Sequence, residues 1–302
     1  MTLHIKSQTG KSPKGEAKTA LLLGAGYTAR HLAKPLLAQG YDVWGTSRSE
    51  SKKQALIELN IHPLILEGFN DEILHDVFER ADIIISSVPP LKSKCPEGYF
   101  DPVISALKGL TPKASWIGYY SATSVYGDRQ GQWAFEGEPA NPSLKRGFAR
   151  AEAELEWLET SWPVHIFRLA GIYGADRNPF QKLREGTART VIKNGHVVNR
   201  IHVEDAVTAT LASIKTPNPQ AVYNIADGHP APPEDVLDYS ADLIGEPHAK
   251  RVELDDGSVS KMARSFYQET KRIDVSKVKR ELEWSPQYLT YKEGLEAIFK
   301  KS

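Results

Sequence analysis

The feature that most constrains this chain is a regular alternation of short apolar runs and helical segments, which begins near residue 18. The first run, "TALLLGAG", has the length and the glycine ending of a buried parallel strand. Similar runs follow at 41–47, 62–68, 82–88, 114–123 and 164–174, with helical segments between them. This alternation predicts an α/β fold, a doubly wound parallel sheet with a ligand crevice at the carboxyl ends of its strands.

The pattern becomes mixed after residue 175, and this change predicts how the chain is divided. A last strand is expected at 222–228, and the segments after it are helical pieces interrupted by prolines. We therefore predict a nucleotide-binding domain at 19–175 plus about 200–228, and a smaller C-terminal substrate lobe at about 176–199 and 229–302. Residues 1–18 are polar and lack an apolar stretch, so we expect a flexible tail there.

The composition argues against several classes of partner. Lys plus Arg and Asp plus Glu both number 38, and no basic stripe appears, so we expect no nucleic-acid partner. The apolar runs are too short to cross a bilayer, so we expect no membrane partner. Cys95 is the only cysteine, which excludes an intramolecular disulfide and suits a reducing, cytoplasmic location. His202 has no partner at metal-ligand spacing, and we predict no metal site.

The glycines after the first strand are the strongest signal for a cofactor. Gly24 permits a tight turn, and Gly26 allows backbone to approach a pyrophosphate at the N-terminus of the next helix. Ala29 takes the third position of the GxGxxG pattern, where a small residue is enough. The context of strand, turn and helix predicts dinucleotide binding in a Rossmann domain. Further predicted contacts are Tyr27, Thr28, Ser87, Val88 and Pro89.

The end of the second strand predicts which dinucleotide binds. A site for NAD needs Asp or Glu here to bond the ribose 2′-hydroxyl, but the sequence has Thr46, Ser47 and Arg48. A guanidinium with two hydroxyls would hold a 2′-phosphate through charge-assisted hydrogen bonds. We therefore predict NADP as the cofactor. NAD remains an alternative because Glu50 is close by, and the segment could also be an ordinary exposed loop.

Several further segments, taken in order, resemble one family. They are "SATSVYGD" (121–128), "FRLAGIYGADRNPF" (167–180), "RIHVEDAV" (200–207) and "YNIADG" (223–228). Together with the glycine loop they resemble the extended short-chain dehydrogenases and reductases of the NAD-dependent epimerase/dehydratase type. The "GTSRS", "RLAGIYG" and "RGFARAEAE" segments are most similar to its atypical, YeeZ-like branch. The resemblance implies a Rossmann domain with a smaller substrate lobe, a small-molecule substrate that is anionic or like a sugar nucleotide, and assembly as a homodimer.

The resemblance also implies a mechanism, from which this sequence departs at two places. The family uses a Tyr, activated by a Lys four residues later, and a Ser or Thr before the "VYG" segment. Here Arg146 and Arg150 take the Tyr and Lys positions, and Ala122 takes the hydroxyl position. Arg150 can supply the charge and the hydrogen-bond donors of the Lys. Arg146 stays protonated, so it can bind an anion or polarise a carbonyl but cannot act as the acid.

Other residues are candidates for the missing roles. On a continuing strand Ser124 shares the side of Ala122, so Ser124 could bond the reacting oxygen. Tyr126 and Tyr173 follow the ends of the fifth and sixth strands and could act as the acid, although Tyr126 could also simply pack in the core. Four residues are predicted to contact the substrate, namely Arg146, Tyr173, Arg177 and Asn178. For Arg177 and Asn178 the alternative is a place on the loop surface.

Some polar residues have a structural interpretation instead. Tyr267 with Lys271 and Tyr288 with Lys292 also match Tyr-x-x-x-Lys, but they lie after the last predicted strand, and we interpret them as coincidences. Arg168 is predicted to be a buried, paired arginine. Structural support is the favoured role for Arg200 and His202 in the segment "RIHVEDAV".

Two functional hypotheses remain open from the sequence. The first is an NADP-dependent oxidoreductase or epimerase-like enzyme with a non-standard acid. The second is a non-catalytic NADP(H)-binding protein that senses redox state or binds a partner.

Overall fold

The computed structural model describes residues 17–93 and 98–301, so Cys95 and nearly all of the predicted tail lie outside the described residues. The strands in this part of the chain are β1 (Thr19–Leu23), β2 (Asp42–Ser47), β3 (His62–Ile65), β4 (Ile83–Ser86), β5 (Leu91–Lys92), β6 (Tyr99–Phe100), β7 (Trp116–Ala122), β8 (Trp133–Ala134), β9 (Val164–Leu169), β10 (Gly171–Tyr173), β11 (Arg189–Val191), β12 (Arg200–His202), β13 (Val222–Ile225), β14 (Lys250–Val252) and β15 (Arg272–Ile273).

The α-helices of the same residues are α1 (Tyr27–Ala38), α2 (Lys53–Glu58), α3 (Glu72–Arg80), α4 (Pro102–Leu107), α5 (Lys145–Leu158), α6 (Phe180–Arg184), α7 (Val203–Lys215), α8 (Pro233–Ile244), α9 (Lys261–Phe266), α10 (Ser276–Glu281) and α11 (Tyr291–Lys301). Two short 3₁₀ helices cover Glu50–Lys52 and Thr123–Tyr126. None of the described helices is both long enough and apolar enough to cross a membrane.

A seven-stranded parallel sheet forms the centre of the protein, in the order β13-β9-β7-β4-β1-β2-β3. The strand β1 pairs with β2 on one side and with β4 on the other, so the direction of strand addition reverses beside β1. Ligands bind at such a switch point, outside the carboxyl ends of the strands. The predicted α/β fold with a doubly wound, Rossmann-type sheet is confirmed.

Alternate residues of the central strands pack on opposite faces of the sheet. In β1, Leu22 joins the core cluster that contains Leu32 of α1, whereas Leu21 and Leu23 join the cluster that contains Phe78 of α3. Side chains on a strand alternate between faces, and both faces of this sheet are covered by helices. This is why the strand reads as one continuous apolar run in the sequence.

The sixth predicted strand is interrupted. The run 164–174 divides into β9, which stays in the central sheet, and β10, which leaves it and pairs with β12. The backbone of Ala170 still bonds Ile225 of β13, but the next amide, that of Gly171, bonds Asn199 instead. The hydrophobic pattern could not show this break, because both pieces remain extended.

The C-terminal elements build a smaller region beside the carboxyl ends of the sheet. Short parallel pairs, β11 with β14 and β15 with β8, tie it together. A separate apolar cluster, formed by Phe180, Val236, Leu295 and Ile298, joins α6, α8 and α11. The predicted domain boundaries and the role of this region as a substrate lobe remain predictions.

A buried ionic network fixes α5 against the sheet. Glu154 of α5 accepts two hydrogen bonds from Arg168 of β9, at 2.7 and 3.1 Å through its Oε2 atom, and one from Ser121 of β7 at 2.5 Å. Both charged side chains are less than 10% exposed. Arg168 also donates to the hydroxyl of Tyr126 at 2.9 Å. The prediction that Arg168 is a buried, paired arginine is confirmed, and the position of α5 sets the positions of Arg146 and Arg150.

Candidate functional site

A cavity of about 420 Å³ lies at the carboxyl ends of β1, β2, β3 and β4, beside the switch point. Its walls come from the glycine loop, the end of β2, the segment after β3 and the end of β4. Among the residues predicted to hold a cofactor, those that line this cavity are Gly24, Gly26, Thr46, Ser47, Arg48, Ser87, Val88 and Pro89.

The glycine turn has the geometry of a phosphate-binding loop. Gly24 has a φ of +78°, and a Cβ there would lie 3.1 Å from both Ser87 Oγ and Val88 Cγ2. The Ser87 hydroxyl donates to the Gly24 carbonyl at 2.5 Å and holds the turn against β4. Gly26 is the N-cap of α1, with no side-chain cap and no atom within 3.5 Å of a hypothetical Cβ. The first amides of α1 are therefore accessible to an anion.

The three polar residues at the end of β2 have different roles. Thr46 is buried, and its Oγ1 accepts a hydrogen bond from the Gly24 amide at 2.7 Å. Its hydroxyl therefore braces the glycine loop, which corrects the expectation that it would hold a 2′-phosphate. Ser47 Oγ accepts from the Ser49 amide at 3.3 Å. Arg48 is exposed and has no hydrogen bond or ion pair to any described residue, so its guanidinium is available to a ligand.

Sequence reasoning missed about half of the cavity lining. Lys52 adds a second cation beside Arg48, and Leu66, Glu67, Gly68 and Phe69 follow β3. The rule that ligands bind at the carboxyl ends of strands could have identified the residues after β3. The sequence has no local signal that predicts the other lining residues, because the chain returns to the cavity through the pair β5–β6 and the start of α4. These are Leu91, Phe100, Pro102 and Ser105.

Tyr27 and Thr28 do not line this cavity. The ring of Tyr27 contacts His31, with 4.8 Å between ring centroids, and the Arg177 guanidinium lies 5.3 Å above it. Its hydroxyl is buried against Gly174. Thr28 is buried in the first turn of α1. Only their backbone, at the helix N-terminus, lies where a cofactor phosphate is expected.

Arg150 lies beside the cavity. Its Nη1 atom donates to the Tyr119 hydroxyl at 2.8 Å, to the Tyr120 carbonyl at 3.0 Å and to the Val88 carbonyl at 3.4 Å. It therefore bridges the ends of β7 and β4, and Val88 itself lines the cavity. The other guanidinium nitrogens, Nε and Nη2, have no hydrogen-bond partner among the described residues.

The chain turns sharply after Ala122, which takes the position of the Ser or Thr that the family uses. The strand β7 ends at Ala122, and a 3₁₀ helix begins at Thr123, so strand alternation does not place the residues that follow. The hydroxyl of half-buried Ser124 has no hydrogen-bond partner in the described part of the chain, and neither has that of Thr123. Gly147 of α5 packs against the Ser124 carbonyl, which brings the start of α5 to this turn. The Ser124 hydroxyl therefore remains available to a substrate. The reason is its place in the 3₁₀ turn after Ala122, and not the strand alternation from which it was predicted.

Tyr126 does not fit the acid role. Its side chain is fully buried, and its hydroxyl donates to Asn224 at 2.8 Å while it accepts from Arg168 at 2.9 Å. Burial raises the pKa of Tyr126 to about 12, despite the lowering effect of the Arg168 charge. A phenol with both hydrogen-bonding roles satisfied and no exposure packs the core, so the alternative interpretation of Tyr126 is the correct one.

Arg146 contacts the C-terminal region. Its Nη1 donates to Ser265 Oγ at 2.6 Å and its Nη2 donates to the Ser265 carbonyl at 3.3 Å. The guanidinium lies 4.5 Å from the centroid of the Phe266 ring and 4.0 Å from a carboxylate oxygen of Glu269. The cation at the family Tyr position is therefore already engaged by the protein.

Tyr173 is part of a packed interface. Its ring lies edge-on to His202 at 5.1 Å, and its hydroxyl is buried against Gly294 of α11. Burial raises the pKa of Tyr173 well above its ordinary value. Tyr173 therefore joins β10 to α11 and does not reach the cavity, which corrects its predicted contact with a substrate.

Asn178 and Arg177 lie on the turn that leads into α6. Asn178 Nδ2 donates to the Ala175 carbonyl at 2.6 Å, and its Oδ1 accepts from the Phe180 amide at 3.0 Å. It therefore stabilises this turn, and it borders a second cavity, beside α6 and α11, rather than the first. Arg177 is exposed above Tyr27.

The remaining structural interpretations agree with the geometry. His202 caps α7 by accepting the Glu204 amide at 3.3 Å, and Arg200 donates to the Val198 and Ala231 carbonyls. Lys271 is ion-paired with Glu269 at 2.9 Å and does not lie on a helix with Tyr267. Within residues 17–93 and 98–301, no group of three or more His, Cys, Asp or Glu side chains is arranged to hold a metal ion.

Comparison with known proteins identifies relatives over nearly the whole chain. Residues 20–226 match the NAD dependent epimerase/dehydratase family. The chain is 30% identical to Protein YeeZ of Escherichia coli (strain K12) over 282 residues, which are 90% of this chain and 96% of that protein.

Solved structures agree with this relationship. A conserved protein of unknown function from Silicibacter pomeroyi DSS is 39% identical, with a TM-score of 0.86 and coverage of 94% of this chain and 99% of that one. The UDP-glucuronic acid 4-epimerase of Bacillus cereus, solved with UDP-glucuronic acid and NAD, has a TM-score of 0.73 at 18% identity and covers 93% and 98%. At that identity the likeness concerns the fold alone.

Proposed function

This chain belongs to the NAD dependent epimerase/dehydratase family, and we propose that it is an NADP-dependent oxidoreductase or epimerase-like enzyme. The observation that carries this proposal is the cavity at the switch point. There, a glycine turn and the uncapped N-terminus of α1 face the free guanidinium of Arg48. This arrangement suits a dinucleotide, with its pyrophosphate at α1 and its adenosine end toward Arg48.

Two cations support NADP over NAD. Arg48 and Lys52 both line the cavity after β2, where a 2′-phosphate would lie. Glu50 does not line the cavity. Its carboxylate is exposed and pairs with Lys53 at 3.0 Å. Glu67 does line the cavity, but it follows β3 rather than the end of β2, so it is not placed as the acid that reads the ribose.

The residues beside the cavity suggest how the chain would assist a reaction. The bound cofactor would accept a hydride as NADP or supply one as NADPH. Arg150, fixed between the ends of β4 and β7, has free donors for the nicotinamide ribose, which is the role that the family Lys has. The free hydroxyl of Ser124 would bond the reacting oxygen of the substrate. Arg146 would bind an anionic group of the substrate once it leaves Ser265.

The substrate that we propose is a small molecule that carries an anionic group, and a sugar nucleotide is one such class. The family relationship and Arg146 both support this class. Turnover can be tested by following NADPH absorbance in both directions, with NADP and sugar nucleotides such as UDP-glucuronic acid, and with NADPH and small carbonyl compounds; chromatography of the sugar nucleotides detects epimers, which form without net change in the cofactor. We expect a product with at least one compound, and no product in any assay by a chain that binds the cofactor tightly would contradict the enzymatic role. A homodimer is the assembly that we propose, and its mass in solution tests this.

A second candidate function is a non-catalytic NADP(H) sensor. The observation that favours it is Arg146, since the position of the family acid holds a permanent cation that the protein itself engages. Such a sensor would bind a partner differently in the presence of NADP and NADPH. Pull-down from the native cell extract with each cofactor form distinguishes the two functions, because an enzyme needs no such difference.

The cofactor assignment has its own test. Thermal unfolding with NADP and with NAD should show a larger stabilisation by NADP, and Arg48→Gln should reduce the NADP effect without reducing the NAD effect. Arg251→Gln is the matched control, since it removes an exposed guanidinium outside the cavity. Equal stabilisation of the native chain by NAD and NADP would refute the assignment to Arg48.

A further inference from the structure

The segment 253–266, which follows β14 and includes α9, is attached to the rest of the protein in an unusual way, and we call it the flap. Its backbone hydrogen bonds stay inside it or reach only Tyr267 and Gln268 directly after it; examples are those from Val259 to Asp256 and from Arg264 to Ser260, both at 2.9 Å. The Arg264 side chain likewise bonds the carbonyls of Asp255, Asp256 and Val259. The flap is therefore a small, internally bonded unit.

Burial holds the flap only weakly. Val259 is its single buried residue, and α9 contains none. Met262 is 72% exposed and Phe266 is 54% exposed, so the apolar side chains of α9 are not covered by the body of the protein. Segments with few buried contacts open at low free energy.

Arg146 makes the side-chain connection between the flap and the body. Among the described residues, the side-chain hydrogen bonds that join the flap to the body are those at Ser265, where Oγ and the backbone carbonyl both accept from Arg146. The guanidinium also lies over the Phe266 ring at 4.5 Å. The Arg146 side chain is 34% exposed, so water and ions can reach this junction.

The junction between Arg146 and the flap lies close in the chain to residues of the candidate site. Arg146 lies in the first turn of α5, directly before Gly147, which packs on the Ser124 carbonyl, and one turn before Arg150 beside the cavity. We propose that the flap is a lid over the substrate that the proposed function puts at Ser124, that Arg146 is its latch, and that a substrate anion opens it by competing with Ser265 for the guanidinium. The identity of the competing ligand rests on the proposed function, whereas the latch does not.

Hydrogen–deuterium exchange of the full chain tests the latch. In Arg146→Ala, amides 260–268 should exchange at least about tenfold faster than in the native chain, while those of the central sheet keep their rates. Trypsin should cut after Lys261 and Arg264 correspondingly faster. The control is Arg251→Gln, which removes a guanidinium directly before the flap. Arg251 bonds Asp238 and not a flap residue, so this variant should change neither the exchange rate nor the cleavage rate. If Arg146→Ala folds poorly, Ser265→Ala removes one of the two acceptors and should show a smaller acceleration.

Unchanged exchange at 260–268 in both variants would overturn the latch. The anion is tested separately with sodium sulfate against sodium chloride at equal ionic strength. Sulfate should accelerate flap exchange in the native chain and leave Arg146→Ala unaffected, and an absence of any sulfate effect would overturn the competition. Neither measurement uses a cofactor, so a chain that passes both but binds no NADPH would contradict the proposed function and leave the lid standing.

Discussion

The two arginines at the start of α5 show how much the surroundings of a residue decide its role. Arg146 and Arg150 lie one helical turn apart, yet Arg150 bonds the ends of two core strands and Arg146 bonds the flap. Their types alone predict a permanent charge at each position. What that charge can act on depends on its neighbours.

Tyr126 leads to a prediction that separates a structural from a catalytic role. Tyr126→Phe should lower the free energy of unfolding by about 1–3 kcal/mol, because Arg168 and Asn224 each lose a buried partner. Urea unfolding measures the change. Binding of NADPH should stay unaltered, and a loss of turnover without any loss of stability would instead return Tyr126 to the catalytic candidates.

Asp227 leads to a prediction about pH. It is 1% exposed, its Oδ1 accepts the His229 amide, and burial raises its pKa to about 7 from an ordinary value of 3.8. The folded chain therefore holds this proton more tightly than the unfolded chain. The contribution of Asp227 to stability falls as pH rises from about 4 to 7, by at most about 1.4 kcal/mol per pH unit.

The comparison with a variant isolates this effect. Urea unfolding of Asp227→Asn between pH 4 and pH 8 should lack the decline that Asp227 adds to the native chain. Asp255→Asn, which changes an exposed carboxylate, should keep it. Parallel pH profiles for the native chain and Asp227→Asn would show that the carboxyl titrates normally.

At the scale of secondary-structure elements, α5 is held by one buried ion pair. Glu154→Ala leaves the Arg168 charge buried without its counter-ion, so we expect a loss of about 3–5 kcal/mol in the free energy of unfolding. Asp76→Ala breaks the exposed pair with Arg80 on α3 and should cost less than about 1 kcal/mol. Chemical denaturation of both variants measures the contrast, and equal losses would mean that the buried pair contributes little.

Sequence patterns were most successful in predicting these secondary-structure elements. The seven strands of the sheet follow apolar runs that the sequence shows, because burial on both faces demands continuous hydrophobicity. The break between β9 and β10 and the turn after Ala122 were not predicted, since an extended chain can change its pairing partner without changing its pattern. That turn decides where the hydroxyl of Ser124 points.

At the scale of the whole molecule, a cofactor should stabilise the native state. NADPH at a hundredfold excess over its dissociation constant should raise the free energy of unfolding by about 2.7 kcal/mol. Gly24→Ala should abolish most of this gain, because a φ of +78° is strained for a residue with a side chain and the added methyl group would crowd Ser87 and Val88 at 3.1 Å. Urea midpoints with and without NADPH measure both, and full stabilisation of Gly24→Ala would place the cofactor elsewhere.

The sequence alone determined the parallel sheet, the glycine turn and the identity of the polar residues at the end of β2, because each of these features depends on residues that are consecutive in the chain. The tertiary structure decided the rest. Tyr126 meets Asn224, which is 98 positions away, and Arg146 meets Ser265, which is 119 positions away. No local pattern encodes such pairs, since the first depends on the place of β13 in the sheet and the second on how the flap folds back toward α5. The buried role of Tyr126 and the engagement of Arg146 by the flap follow from that packing.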